Sequence, residues 1–251
     1  MTTGALIFAV NNGATDYEAM ARWNAGNIQR HLGIPTYIVT DQYPHSSNSR
    51  HFTDLGHVAW HNASRVDAYD VTPWDRTLVL DADYVVASDT LGSLFEADQD
   101  FLAHRSAYDI TGCNDFQGLN HFGEHRMPMW WATVMMFRRS DHARFIFDMM
   151  RMVRDNWSHY RDLYKIRQAT YRNDHALSIA MLVSDGHWLD HAAIPWGLAT
   201  LIPDHRLRQT GQDQYRVDFQ DTANRARWIT ISQDFHAMGK TQLEAIVADH
   251  A

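Results

Sequence analysis

The sequence predicts an α/β fold, a mixed and mostly parallel sheet flanked by helices, in a single domain spanning residues 1–251. Three observations carry this. Residues 5–10 (ALIFAV) and 36–40 (TYIVT) are short apolar runs on either side of a helical segment. Such a β-α-β unit makes its two strands parallel. Residues 77–81 (TLVLD) and 129–137 (MWWATVMMF) are two further runs that read as buried strands. A hydrophobic content of 45% is enough for one sizeable core.

The remaining elements follow in order. After the first strand, Asp16 is placed to cap a helix from about Tyr17 to His31, which Gly33 and Pro35 stop. Residues 42–62 are polar and read as a loop with short structure; a helical stretch at 64–69 leads into the third strand. Residues 104–128 contain Gly112, Gly118, Gly123 and Pro128 and read as irregular. Asp141 opens an amphipathic helix on which Phe145, Met149, Met152 and Val153 are expected to form the core face. Residues 157–172 interleave aromatics with Arg161, Lys165, Arg167 and Arg172, as a solvated helical face or a flap over an acceptor would. Asn173-Asp174-His175 opens a helix running to Val183, and 187–194 reads as strand and turn. Residues 204–227 are polar and Arg-rich; 228–231 reads as the last strand, before a C-terminal helix burying Leu243, Ile246 and Val247.

The chemistry centres on Asp81-Ala82-Asp83. Open α/β sheets bind ligands beyond their strand ends. Two carboxylates one residue apart suit a hard divalent cation such as Mg²⁺ or Mn²⁺, and such an ion helps a diphosphate leave. An acidic turn closing a core strand explains the same three residues equally well. At the end of the first strand, Asn11 and Tyr17 could meet a nucleobase by hydrogen bonding and stacking, or serve as a helix cap and a packed ring.

Several classes are disfavoured. A net charge of −8 with a pI near 6.0 argues against non-specific duplex binding. No run of eighteen apolar residues occurs, so no membrane span is expected. The start lacks a basic segment before its apolar run, and Cys113 is the sole cysteine, so a cytoplasmic protein without a disulfide is expected. The sequons at Asn62 and Asn156 then carry no meaning. His121-Phe122-Gly123-Glu124-His125 matches H-x-x-E-H, but its glycine-rich surroundings do not suit the helix that zinc chemistry needs. The pairs His57/His61 and His187/His191 share that spacing, and 16 histidines in 251 positions yield about one such pair by chance. Neither G-x-G-x-x-G nor G-x-S-x-G is present.

The stretch 65–83 (RVDAYDVTPWDRTLVLDAD), the later Leu94-Phe95, Asp174-His175 and His236-Ala237-Met238-Gly239-Lys240 together resemble the GT-A glycosyltransferases, within them the glycogenin-like and bacterial galactosyltransferase-like retaining family. The resemblance implies a Rossmann-like GT-A fold and a hexosyltransferase using a nucleotide-diphosphate sugar, UDP-linked. It gives Arg65 the role of the basic residue that reaches the donor, Asp174 a place near the donor sugar, and His236 that of third metal ligand beside Asp81 and Asp83. Ala9, Asn11, Tyr17, Arg65, Asp81, Ala82, Asp83, Gly239 and Lys240 become the donor-binding set. Residues 1–100 become the nucleotide-sugar half, and 101–251 the acceptor side with the C-terminal metal and diphosphate motif. Two departures stand out. Lys240 adjoins Gly239 where the family's lysine lies further on, and Trp131-Ala132-Thr133 stands where the family has Asn-Ser-Gly.

The bottom-up chemistry agrees: two oxygens and one nitrogen suit Mn²⁺, and Arg65 and Lys240 can share phosphate charge. Residues 104–128 and 157–172 are expected to border the acceptor, with Trp131, Tyr160 and Tyr164 as stacking candidates. The acceptor itself stays open between a glycan, a protein and a hydroxylated base in DNA. A sugar nucleotidyltransferase is a second enzyme class, but the Gly-rich basic loop it needs after the first strand is absent. A non-catalytic carbohydrate- or nucleic-acid-binding module is a third reading.

Overall fold

The computed structural model of the chain describes residues 1–12, 14–40, 49–51, 65–186 and 192–250, with 49–51 described as backbone. The expected helix and its flanking strands come first: β1 (Thr3–Ala9), α1 (Tyr17–Leu32) and β2 (Thr36–Thr40). β1 and β2 are parallel, with Ile7 opposite Ile38. Asp16 caps α1 by accepting the Ala19 N–H at 3.0 Å. Gly33 ends it at φ 67°, a left-handed conformation that glycine adopts without steric cost. β3 (Ser49–His51) adds a parallel edge strand. A 3₁₀ turn at 65–67 leads into α2 (Ala68–Val71), then β4 (Arg76–Asp81) and β5 (Tyr84–Val85).

The segment expected to be irregular is partly strand: β6 (Phe101–His104), β7 (Ala107–Asp109), β8 (His121–Phe122) and β9 (Met127–Pro128). Their two-to-four-residue lengths hide them in a glycine-rich sequence. β8 and the turn after it carry the H-x-x-E-H residues, so no helix presents that histidine pair to a metal. β10 (Trp131–Arg138) then enters the main sheet. The sheet order is β3-β2-β1-β4-β10-β6. β10 is antiparallel to both neighbours while the other five strands share one direction, which is the mixed, mostly parallel arrangement the sequence predicts.

Next come α3 (Asp141–Asp155), α4 (Trp157–Leu163) and α5 (Asn173–Ser184). α1 packs on β1 and β2, α5 on β10, and α3 on α5. The α3 core face needs a correction. Its buried residues are Ala143, Ile146, Phe147, Met149, Met150 and Val153, whereas Phe145 is 44% and Met152 49% exposed. Phe145 and Met152 lie one heptad apart on the outer side, about 200° round the helix from Ala143 and Met150.

The last third holds β11 (Leu198–Leu201), β12 (Arg206–Gly211), β13 (Gln214–Gln220), β14 (Ala226–Ile231), β15 (Phe235–Ala237) and α6 (Lys240–Ala248). Three points differ from expectation. Residues 204–227 hold most of an antiparallel meander, β12-β13-β14. The strand at 228–231 is not the last, since β15 follows it. Residues 192–194 form no strand. The rest of the expected strand and turn there, most of the 42–62 loop, and the pairs His57/His61 and His187/His191 lie outside the described residues. α6 buries Leu243, Ile246 and Val247 as expected. A second sheet, β5-β15-β11-β7, sits where the chain leaves β4. Among the described residues no helix is long and apolar enough to cross a membrane.

Candidate active site

Asp81 is the last residue of β4, and Asp83 immediately precedes β5. The chain that follows the turn, from β5 to Ser88, is held from two sides. The buried Asn24 of α1 donates to the Tyr84 carbonyl at 2.6 Å and accepts the Val86 N–H at 3.1 Å. Asp234 Oδ1 accepts the Ala87 and Ser88 N–H groups, both at 2.8 Å. β5 pairs antiparallel with β15, Tyr84 opposite His236, and the Ala237 N–H donates to the Asp83 carbonyl at 2.9 Å. Main-chain pairing therefore carries His236 to the aspartates across 153 positions of sequence.

The three side chains converge. Each of Asp81, Asp83 and His236 offers a ligand atom within 4.8 Å of the other two. His236 Nε2 lies 3.6 Å from Asp83 Oδ2, and the buried Nδ1 has no hydrogen-bond partner among the described residues. A divalent cation is the group the resemblance implies here. Two carboxylate oxygens and an imidazole nitrogen, mutually close and with Asp83 buried, fit Mn²⁺ or Mg²⁺.

Three cations stand among these acids. Arg65 forms an ion pair with Asp81, and its Nη1 donates to the Ala132 carbonyl at 3.2 Å. Lys240 pairs with Asp83. Arg172 Nη2 donates to Asp174 Oδ2 at 2.9 Å, while Asp174 Oδ1 accepts the Ala132 N–H at 2.9 Å. Burial pulls the Arg65 guanidinium below its ordinary pKa, against the raising effect of Asp174 and Asp83. Burial acts to raise the Asp83 carboxyl, but His236 and Lys240 outweigh it and hold that group far below the usual carboxylate range. Burial raises the Tyr17 phenol, with Lys240 opposing and Asp83 adding to the shift.

These residues line one cleft of about 330 Å³. Of the sequence-predicted set it contains Tyr17, Arg65, Asp81, Ala82, Asp83, Trp131, Asp174, His236 and Lys240. The others lie elsewhere. Ala9 is fully buried in β1, Gly239 caps α6, and Asn11 Oδ1 accepts the Glu18 N–H at 2.9 Å, so its place is a helix start. Tyr160 and Tyr164 are away from the cleft. The Tyr164 ring lies tilted against Phe122, at 5.9 Å between ring centres, and the Tyr164 carbonyl occupies the space a Cβ on Gly123 would need. The 104–128 and 157–172 segments thus pack on each other there. Asn12, Thr133, Arg172, Asn173 and Met238 also line the cleft. Of these, Arg172 lies in the Arg-rich 157–172 segment, where several basic residues carry no pattern that singles it out.

No protein-family model matches the chain, and no curated protein matches its sequence. Solved structures do resemble it. One is the glycosyltransferase GlyE of Streptococcus pneumoniae TIGR4, at 16% identity and TM-score 0.43, covering 78% of this chain and 46% of that one. Another is the galactosyltransferase LgtC in complex with donor and acceptor sugar analogs, at 16% and 0.44, covering 69% of each chain. A third is mouse xyloside xylosyltransferase 1, at 13% and 0.43, covering 72% of this chain and 82% of that one. The chain spans about half the length of GlyE.

Proposed function

We propose that this chain is a metal-dependent GT-A glycosyltransferase, moving a sugar from a UDP-linked donor to a hydroxyl acceptor with retention at the anomeric carbon. The observation that carries the reading is the convergence of Asp81, Asp83 and His236 at the end of β4, with Arg65 and Lys240 beside them. A divalent ion held by Asp81, Asp83 and His236 would neutralise the diphosphate and make it a better leaving group.

The chain's own residues supply the rest. Lys240 and Arg65 reach the same acids and can turn to phosphate oxygens, stabilising charge that grows as the sugar departs. Tyr17, at the start of α1 and in the cleft, offers a ring for the uracil. Asp174 has both oxygens engaged, by the Ala132 N–H and Arg172. It is thereby held in place where it can stabilise a positively charged sugar, and an inverting transfer would instead call for a disengaged carboxylate base. Trp131, on the cleft wall with its indole N–H on Asn120 at 3.1 Å, is the acceptor-stacking candidate. In this reading residues 1–100 bind the nucleotide sugar, and 101–251 complete the metal site and face the acceptor. A cytoplasmic setting accords with the single cysteine.

The test is a screen of nucleotide sugars for hydrolysis with Mn²⁺, with and without EDTA. Turnover of a UDP-sugar that EDTA abolishes is expected. Turnover untouched by EDTA, or none with any nucleotide sugar, would reject the reading.

A further inference from the structure

The meander β12-β13-β14 turns one face inward and the other to solvent. Leu207, Tyr215, Val217 and Ile231 are buried on the inner face. Alternation along each strand therefore puts Arg206 and Arg208 of β12, Arg216 and Asp218 of β13, and Trp228 and Thr230 of β14 on the outer one. The strand registers set them in two rows: Arg206, Asp218 and Trp228, then Arg208, Arg216 and Thr230. The second row places two guanidinium groups directly opposite each other, which is unfavourable unless an anion lies beside them. Asp218 is that anion, and both its oxygens are taken: Oδ2 by Arg208, and Oδ1 by Arg216 Nε at 2.9 Å and Nη2 at 2.8 Å. Arg206, exposed at the end of the first row, adds a third cation. Within the three strands, this face thus sets three arginines against one carboxylate, in a chain whose formal net charge is −8.

Trp228 stands beside this charge at 59% exposure, with the Arg216 guanidinium 4.7 Å from its ring centre. An exposed indole offers a flat apolar surface to the C–H face of a sugar ring, and guanidinium forks match carboxylates bidentately. β12 and β14 lie about 10 Å apart across β13, the reach of a short oligosaccharide. We propose that the outer face of β12-β13-β14 binds an acidic glycan, with a uronate carboxylate on Arg206 and Arg208 and a neighbouring sugar ring on Trp228. None of these residues lines the cleft beyond β4, so the surface is a second saccharide contact that no step at the cleft requires. A single-stranded nucleic acid fits less well. It needs successive aromatic platforms along a basic groove, whereas Trp228 is the one aromatic that these strands present outward. A chain of net charge −8 also repels a phosphate at every nucleotide.

The experiment is calorimetric binding of hexagalacturonate and hexamannuronate to the whole chain, without donor or metal, with methyl-esterified hexagalacturonate and a short oligothymidylate as controls. At least one acidic hexamer should bind, with affinity falling as salt is raised, and the methyl ester should bind at least about tenfold more weakly than hexagalacturonate. Arg208→Gln and Trp228→Ala should each weaken binding of the acidic hexamer about tenfold. Asp218→Asn, which frees two guanidinium groups, should tighten it severalfold, an effect that a merely structural carboxylate would not give. Circular dichroism checks that the variants fold, and Arg206→Gln, at an exposed strand end, keeps the test available if one of them does not. Neither acidic hexamer binding, the methyl ester binding as tightly as hexagalacturonate, the oligothymidylate binding more tightly than both hexamers, or an affinity unmoved in the folded arginine and tryptophan variants overturns the inference. Each of these outcomes leaves the glycosyltransferase reading standing, because that reading is tested by nucleotide-sugar turnover at the cleft.

Discussion

Asp83 has the most demanding position of any residue here: buried, paired with Lys240, and 3.6 Å from His236. Removing its charge leaves two cationic or basic groups facing each other. Asp83→Asn should lower UDP-sugar turnover at least about a hundredfold, within the range for losing a group that stabilises developing charge. Arg65→Ala should also reduce turnover strongly, though part of its effect is structural, since Arg65 ties the Ala132 carbonyl. A folded Arg65→Ala protein with unaltered steady-state kinetics would remove Arg65 from the donor site. At this scale the sequence told much and not all. Asp81 and Asp83 announce themselves by spacing, and His236 and Lys240 by a short motif. Arg172 does not, because a single arginine in a stretch with several others has no distinguishing pattern. The Ala132 N–H that holds Asp174 is a backbone group and leaves no trace in residue type.

At the scale of elements, the pairing of β5 with β15 brings His236 to Asp81 and Asp83, and the Ala237 N–H to Asp83 carbonyl bond is its closing link. Proline lacks that donor. Ala237→Pro, though no ligand is altered, should weaken Mn²⁺ binding in equilibrium dialysis as a ligand loss does; unchanged affinity in the folded variant would show that the pairing is dispensable. α3 offers a second check. Phe147 is buried among Tyr69, Phe101 and Phe137, with its ring centre 4.9 Å from that of Phe137. Phe147→Ala should cost about 3–5 kcal/mol in urea denaturation, whereas the exposed Phe145→Ser should stay within about 0.5 kcal/mol. Equal losses would mean that the buried face is misassigned. The elements that were legible are long and continuously apolar, such as β1, β4 and β10, or capped and periodic, such as α1. β12 and β13 were not. They alternate Leu207, Tyr215 and Val217 with arginine, aspartate and glutamine, and a half-exposed strand with one or two buried residues looks polar in sequence. The α3 stripe failed for another reason: with Phe145, Met149, Met152 and Val153 all apolar, periodicity alone allows two adjoining faces, and packing on α5 and on the rings of Tyr69, Phe101 and Phe137 selects one.

The whole molecule should lose stability in acid. Burial holds His104 and His175 at about 4, against about 6.5 for an unfolded histidine. Between those values the unfolded chain binds more protons than the folded one. Stability is thus complete above about pH 6.5 and declines toward pH 4, by up to about 3 kcal/mol for each residue. Asp83 adds a later loss in the same direction, because its lowered carboxyl stabilises the fold above the unfolded carboxylate range and ceases to do so as pH falls through the folded value. Urea midpoints at pH 7 and 4.5 should differ markedly, and replacing both histidines by glutamine should flatten the slope in the histidine window; a flat profile in the parent protein would contradict their buried, neutral state.

The joining of distant parts of the chain at one metal is the claim on which the rest depends, and Mn²⁺ binding followed by electron paramagnetic resonance reads it without any substrate or acceptor. The parent protein should bind one Mn²⁺, with affinity increased by UDP, and His236→Ala and Asp83→Asn should each weaken that binding about tenfold or more while melting as folded proteins. A parent protein that leaves Mn²⁺ free in solution with UDP present, or a His236→Ala variant that binds it as tightly as the parent, would contradict the assignment of Asp81, Asp83 and His236 to one ion.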